Sequence, residues 1–212
     1  LYWRLDRIRR GNGGLQALAM TVAIAAMTLA FVVSAKTSAH VLDEYVYVGV
    51  SRWLFYALLA LGVAALIVVF FFPRAGATRE RRAGHEALPL VVALIGLQVA
   101  LLVTPSSLRT SSLSEWSAKN WGFALFYVIA SAYLAYGFGA CVHNVRKFYR
   151  MAQGYLRFSL ALLILGFALL AVASVLQVLA VVGSASGLVQ GVNQLIAVRT
   201  LDIVGVVAFL VG

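Results

Sequence analysis

Two long uncharged runs joined by a short basic connector dictate what this chain can become. Residues 121–142 hold no Asp, Glu, Lys or Arg, and neither do residues 158–183. Each run is long enough for one bilayer crossing, which takes about twenty apolar residues. Between them, residues 144–157 carry Arg146, Lys147, Arg150 and Arg157. Positive loops stay on the cytoplasmic side, so the pair predicts a membrane hairpin with its connector inside. The chain is 63% hydrophobic and 11% charged, whereas soluble domains are about half apolar and about a quarter charged. A polytopic, all-α transmembrane bundle follows. The net charge of +10 would suggest nucleic acid in a soluble protein. Here the basic residues sit between apolar runs and read as topology signals, so no nucleic-acid partner is expected.

The remaining crossings alternate around this hairpin. Arg4, Arg7, Arg9 and Arg10 follow Tyr2 and Trp3, as at the inner end of a helix that precedes Leu1. Residues 15–34 form the first complete crossing, running outward. Residues 36–46 read as an outer loop, slightly acidic through Asp43 and Glu44. Tyr45, Tyr47 and Trp53 suit an aromatic belt at headgroup level, and Arg52 can snorkel from the outer end. The second crossing spans residues 48–72 and stops at Pro73. Residues 74–86 make a second basic inner loop, with Arg74, Arg79, Arg81 and Arg82 against Glu80 and Glu86. The third crossing runs from 87 to 103, with Pro89 in its first turn, where a missing N–H costs little. Residues 106–120 form a Ser-rich outer loop. The fourth crossing, 121–142, returns inward and the fifth, 155–183, runs outward. A last crossing runs inward from about 193 to 212. Six crossings result, with both ends of the sequence cytoplasmic and residues 1–212 as one transmembrane domain. The first residues and the apolar end at Gly212 suggest a piece lacking an N-terminal helix and a C-terminal extension. The expected location is the plasma membrane, crossed several times.

Several stretches recur together in a known family. They are Trp-Arg-Leu-Asp-Arg-Ile-Arg-Arg at residues 3–10, Trp-Gly-Phe-Ala-Leu-Phe-Tyr at 121–127 and Tyr-Leu-Arg-Phe-Ser-Leu-Ala-Leu-Leu-Ile-Leu-Gly-Phe at 155–167. In these the chain resembles a family of actinobacterial integral membrane proteins classed as transporters. The resemblance implies a seven-helix bundle followed by a cytosolic C-terminal domain of unknown function. It carries no functional residue across.

No reaction chemistry is legible. There is no nucleotide-binding glycine loop and no His-Glu-x-x-His, and no serine has a recognisable base, so no enzymatic activity is expected. Of the histidines, His40 is expected outside and His85 and His143 at inner membrane edges, not on facing helices at similar depth as a haem would require, so no cofactor or metal is expected. Cys141 is the lone cysteine, read as a packing residue. Ala132, Ala135, Gly137, Gly139 and Ala140 thin the fourth crossing, as Gly166 and nearby alanines thin the fifth, allowing close helix approach. Tyr127, Tyr133 and Tyr136 can line a cavity, because buried phenols seek a partner.

Polar groups at membrane depth are the remaining pointers, since charge there is expensive and faces the protein interior. Gln98 lies in the third crossing and Gln177 in the fifth, while Arg199 and Asp202 lie in the last. Arg199 and Asp202 are three apart and share a helix face. Arg199 is expected to pair with Asp202 or with Gln177. Three function classes fit: a transporter with a polar path near these residues, a membrane sensor signalling through a cytosolic domain, or a non-catalytic subunit of a larger complex. The partners compatible with them are the lipid bilayer, a homo-oligomer or other membrane subunits.

Overall fold

A computed structural model describes residues 14–71, 78–109, 120–185 and Val204. Among the described residues there are seven helices and no strand. They are α1 (Leu15–Ser34), α2 (Lys36–Tyr45), α3 (Val50–Val69), α4 (Arg79–Val103), α5 (Ser106–Arg109), α6 (Trp121–Met151) and α7 (Gly154–Ala185). Five of them, α1, α3, α4, α6 and α7, are long and apolar enough to cross a membrane. The protein is an integral membrane helical bundle. The sixth expected crossing, with Arg199 and Asp202, lies outside the described residues.

Lipid offers the backbone no hydrogen-bond partners, so helix ends and stray hydroxyls must be satisfied internally. Asn120 caps α6 by accepting from the Phe123 N–H at 3.0 Å. Thr78 caps α4, accepting from the Arg81 N–H at 3.2 Å. Thr21, Thr28 and Ser174 donate to the carbonyls one turn earlier, at 2.8–2.9 Å, which removes their hydroxyls from competition with the helix.

Helices α3 and α6 form the centre. Helix α1 packs outside α3, α7 packs outside α6, and α4 contacts both α3 and α6. One end of the bundle carries Arg79, Arg81, Arg82, Arg146, Lys147, Arg150 and Arg157 and is called the basic end below. The core at that end joins Ala23, Val63, Leu66, Ile67, Cys141, Val145 and Phe167. Toward the far end it joins Leu97, Leu101, Phe123, Phe126 and Tyr127 to Val181. Helices α3 and α6 approach closely at Gly137, where a β-carbon would overlap Val63 Cγ1. On α4 the exposed residues Leu88, Val91, Val92, Ile95, Val99 and Leu102 recur at helical spacing and make one lipid-facing stripe.

Several expected boundaries move. Residues 36–46, expected as a loop, are mostly the helix α2, separated from α1 only by an extended Ala35. The basic inner segments are largely helical rather than loops. Helix α6 continues through Arg146, Lys147 and Arg150 to Met151. It breaks at Ala152 and Gln153 before Gly154, whose φ of 57° suits a residue without a β-carbon. The Thr78 cap starts α4 at Arg79, so Pro89 sits in the helix interior, not its first turn. There it leaves the His85 carbonyl without its usual donor.

Candidate functional site

Glu86 is the most deeply buried carboxylate among the described residues, at 3% exposure. The extension of α4 below the expected crossing is what turns it inward. Arg82, one turn earlier on the same face, forms an ion pair with Glu86 Oε1, a spacing that favours the contact. From α6, the Tyr136 hydroxyl donates to Glu86, 2.9 Å from Oε1 and 3.2 Å from Oε2. The carboxylate therefore bridges two helices.

Depth follows from helix length. At about 1.5 Å per residue, Tyr136 lies roughly 22 Å along α6 from Trp121, within a hydrocarbon core about 30 Å thick. With Trp121 at the far interface, Tyr136 draws the carboxylate inside the basic-end boundary of the membrane. Arg82 is placed to serve it from the interface: its side chain is 29% exposed and its guanidinium lies 6.0 Å from the Phe71 ring centre.

Not every polar atom here is satisfied. Tyr133, one turn before Tyr136, has its ring 6.2 Å from that of Tyr136. It packs among Ala60, Ala93, Leu90 and Ile129 and lies within electrostatic reach of Glu86. Its buried hydroxyl finds no hydrogen-bond partner among the described residues, and neither does Arg82 Nε. Orphaned buried polar atoms are uncommon and call for an explanation.

The far end arranges its polar groups differently. Asp43 Oδ1 accepts from the Ser51 N–H and Oδ2 from the Ser51 hydroxyl, both at 2.9 Å, which secures the start of α3. Arg109 donates to the carbonyls of Thr104 at 2.8 Å and Leu102 at 3.1 Å, closing the end of α4. Arg52 does not snorkel outward. Its guanidinium lies 5.7 Å from the Phe123 ring centre and 5.8 Å from that of Tyr127, and its Nη1 is buried. Tyr47 and Trp53, expected in the aromatic belt, pack against the core instead, while Tyr45 and Trp121 stay exposed.

Comparison with protein-family models, curated proteins and solved structures gives no match.

Of the residues singled out in the sequence, Gln98 accepts from the Tyr47 hydroxyl at 3.2 Å. Gln177 lies on α7, which packs chiefly against α6. Arg199 and Asp202 lie outside the described residues. His40, His85 and His143 are exposed, with His40 3.7 Å from Glu44. Among the described residues no three His, Cys, Asp or Glu side chains gather as metal ligands would. Cys141 is free and fully buried. Sequence reasoning missed Glu86 by assigning it to a loop. The signal was present in two spacings, Arg82 to Glu86 at four residues and Tyr133 to Tyr136 at three.

Proposed function

We propose that this protein is a solute transporter of the plasma membrane, with its basic end in the cytoplasm and its binding group at Glu86. The observation that carries the reading is a buried carboxylate bridging α4 and α6, two of the helices long and apolar enough to cross a membrane. Ionisable groups at such depth are costly, and they mark substrate and ion pathways. A buried ion pair is weak support for stability, since apolar replacements of similar volume often serve as well. Its place here is better accounted for by use than by packing. Pro89, three residues on, removes one backbone hydrogen bond from α4 beside the site. The Lys and Arg asymmetry supports the orientation, and the resemblance to actinobacterial membrane proteins classed as transporters points the same way.

The test is counterflow in proteoliposomes with radiolabelled amines, amino acids, sugars and organic acids. Saturable, protein-dependent exchange of at least one solute is expected. Protein-dependent flux of none would overturn the transport reading and leave sensing or a subunit role.

A further inference from the structure

The Glu86 site also indicates what kind of solute it takes. We infer that it binds a small organic ammonium ion carrying an apolar body, which takes the place now held by the Arg82 guanidinium. The inference rests on the transport reading for the use of the site, but not for the binding itself.

Five features define the ligand. The carboxylate is the only buried charge on the α4 and α6 faces described, and it calls for a cation. Tyr136 already donates to both carboxylate oxygens, so the newcomer must supply a further donor. The unpartnered hydroxyl of Tyr133, whose ring lies 6.2 Å from that of Tyr136, offers an acceptor, and an ammonium has donors enough for both. The Tyr133 and Tyr136 rings can also stabilise a cation over a π-face, an attraction that strengthens with desolvation. The surrounding side chains of Leu90, Ala93 and Ile129 are apolar and fit a hydrocarbon body.

Arg82 is a poor permanent occupant. Its Nε is buried and unpartnered, because a guanidinium brings more donors than this site accepts. Its side chain is long and 29% exposed, so it can withdraw to the interface and keep its charge in water. An ammonium in its place would leave no orphaned Nε and would use the Tyr133 oxygen. Arg82 thus acts as a competitor built into the chain, holding Glu86 neutralised until a cation arrives.

The experiment is equilibrium binding of radiolabelled benzylammonium to the whole protein in lipid nanodiscs, with benzyl alcohol as the uncharged competitor. Saturable binding that benzyl alcohol does not displace is expected. Glu86→Gln should weaken it more than tenfold, and Arg82→Gln should tighten it severalfold by removing the competitor. Tyr133→Phe should weaken it about tenfold. That variant removes an unpartnered oxygen and leaves the ion pair intact, so it decides the matter if a charge variant does not fold. Unchanged binding in Tyr133→Phe, weaker binding in a folded Arg82→Gln, or displacement by benzyl alcohol would each overturn the inference. Binding without counterflow would overturn the transport reading and leave this assignment standing. Counterflow of an uncharged solute unaffected by Glu86→Gln would overturn this assignment and the placing of the transport site at Glu86, and leave transport itself standing.

Discussion

The two ends of the bundle hold similar residues and use them for different ends. At the far end, polar side chains complete the backbone or one another. Asp43 secures the start of α3, Arg109 closes α4, Gln98 meets Tyr47, and Arg52 lies over aromatic rings. Among the described residues, the buried Trp53 Nε1 at this end has no hydrogen-bond partner either. At the basic end, Glu86, Arg82 and Tyr136 serve no helix terminus. They link two of the long apolar helices and leave the Tyr133 hydroxyl and Arg82 Nε unmatched. Polar groups that close helix ends stabilise; polar groups that converge with bonding capacity left over are placed to bind something.

The comparison is sharpest at Arg82. Arg82→Leu leaves Glu86 buried without its cation, and breaking a buried pair in this way costs about 3–5 kcal/mol. Glu86→Leu should cost less, because Arg82 reaches the interface. Thermal melts in one detergent check the order; equal losses would mean that Arg82 is as deeply trapped as its partner.

Beneath the cluster, Gly137→Ala should cost about 1–3 kcal/mol, the usual range for overpacking. The new methyl meets Val63, a β-branched side chain stiff at χ1. Gly139→Ala is the control, since nothing lies within 4 Å of its added carbon. It should be neutral or slightly stabilising in the same melts.

At the far end the expected effects are smaller. Asp43→Ala removes both bonds to Ser51 and should cost about 1 kcal/mol, as loss of a helix cap does. Tyr47→Phe removes the bond to Gln98 and should cost about 0.5–1.5 kcal/mol. Both are read from chemical denaturation in mixed micelles. A far-end loss as large as that of Arg82→Leu would erase the distinction between the ends.

How legible this was in the sequence depended on the length scale of the signal. Twenty-residue apolar runs report directly on bilayer thickness, so α1 was placed at its observed limits, residues 15–34, and the other long helices were found. Their ends were not. Arg79 to His85 and Asn144 to Met151 look like loops because they are charged, yet a capped helix continues into water whenever its caps and propensities allow. That continuation placed Glu86 on a helix and Pro89 in the interior of α4. Side-chain direction was hidden for a related reason: Arg52 could as well reach for water, and only the ring positions of Phe123 and Tyr127 on another helix turn it inward. Gln98 was legible as polar at depth, but its partner Tyr47 lies beyond a chain reversal that no local pattern encodes. The Glu86 site needed contacts across 50 residues, from Glu86 to Tyr136.

The most direct measurement compares Glu86→Gln with Asp43→Asn in proteoliposomes, for the solute with the largest counterflow. Flux is divided by the folded fraction of each variant, taken from its melt. Glu86→Gln should lose flux per folded molecule by more than tenfold, while Asp43→Asn should melt earlier but keep wild-type flux per folded molecule. Flux that falls only in proportion to the folded fraction in both variants would contradict a functional role for Glu86 and make both ends structural.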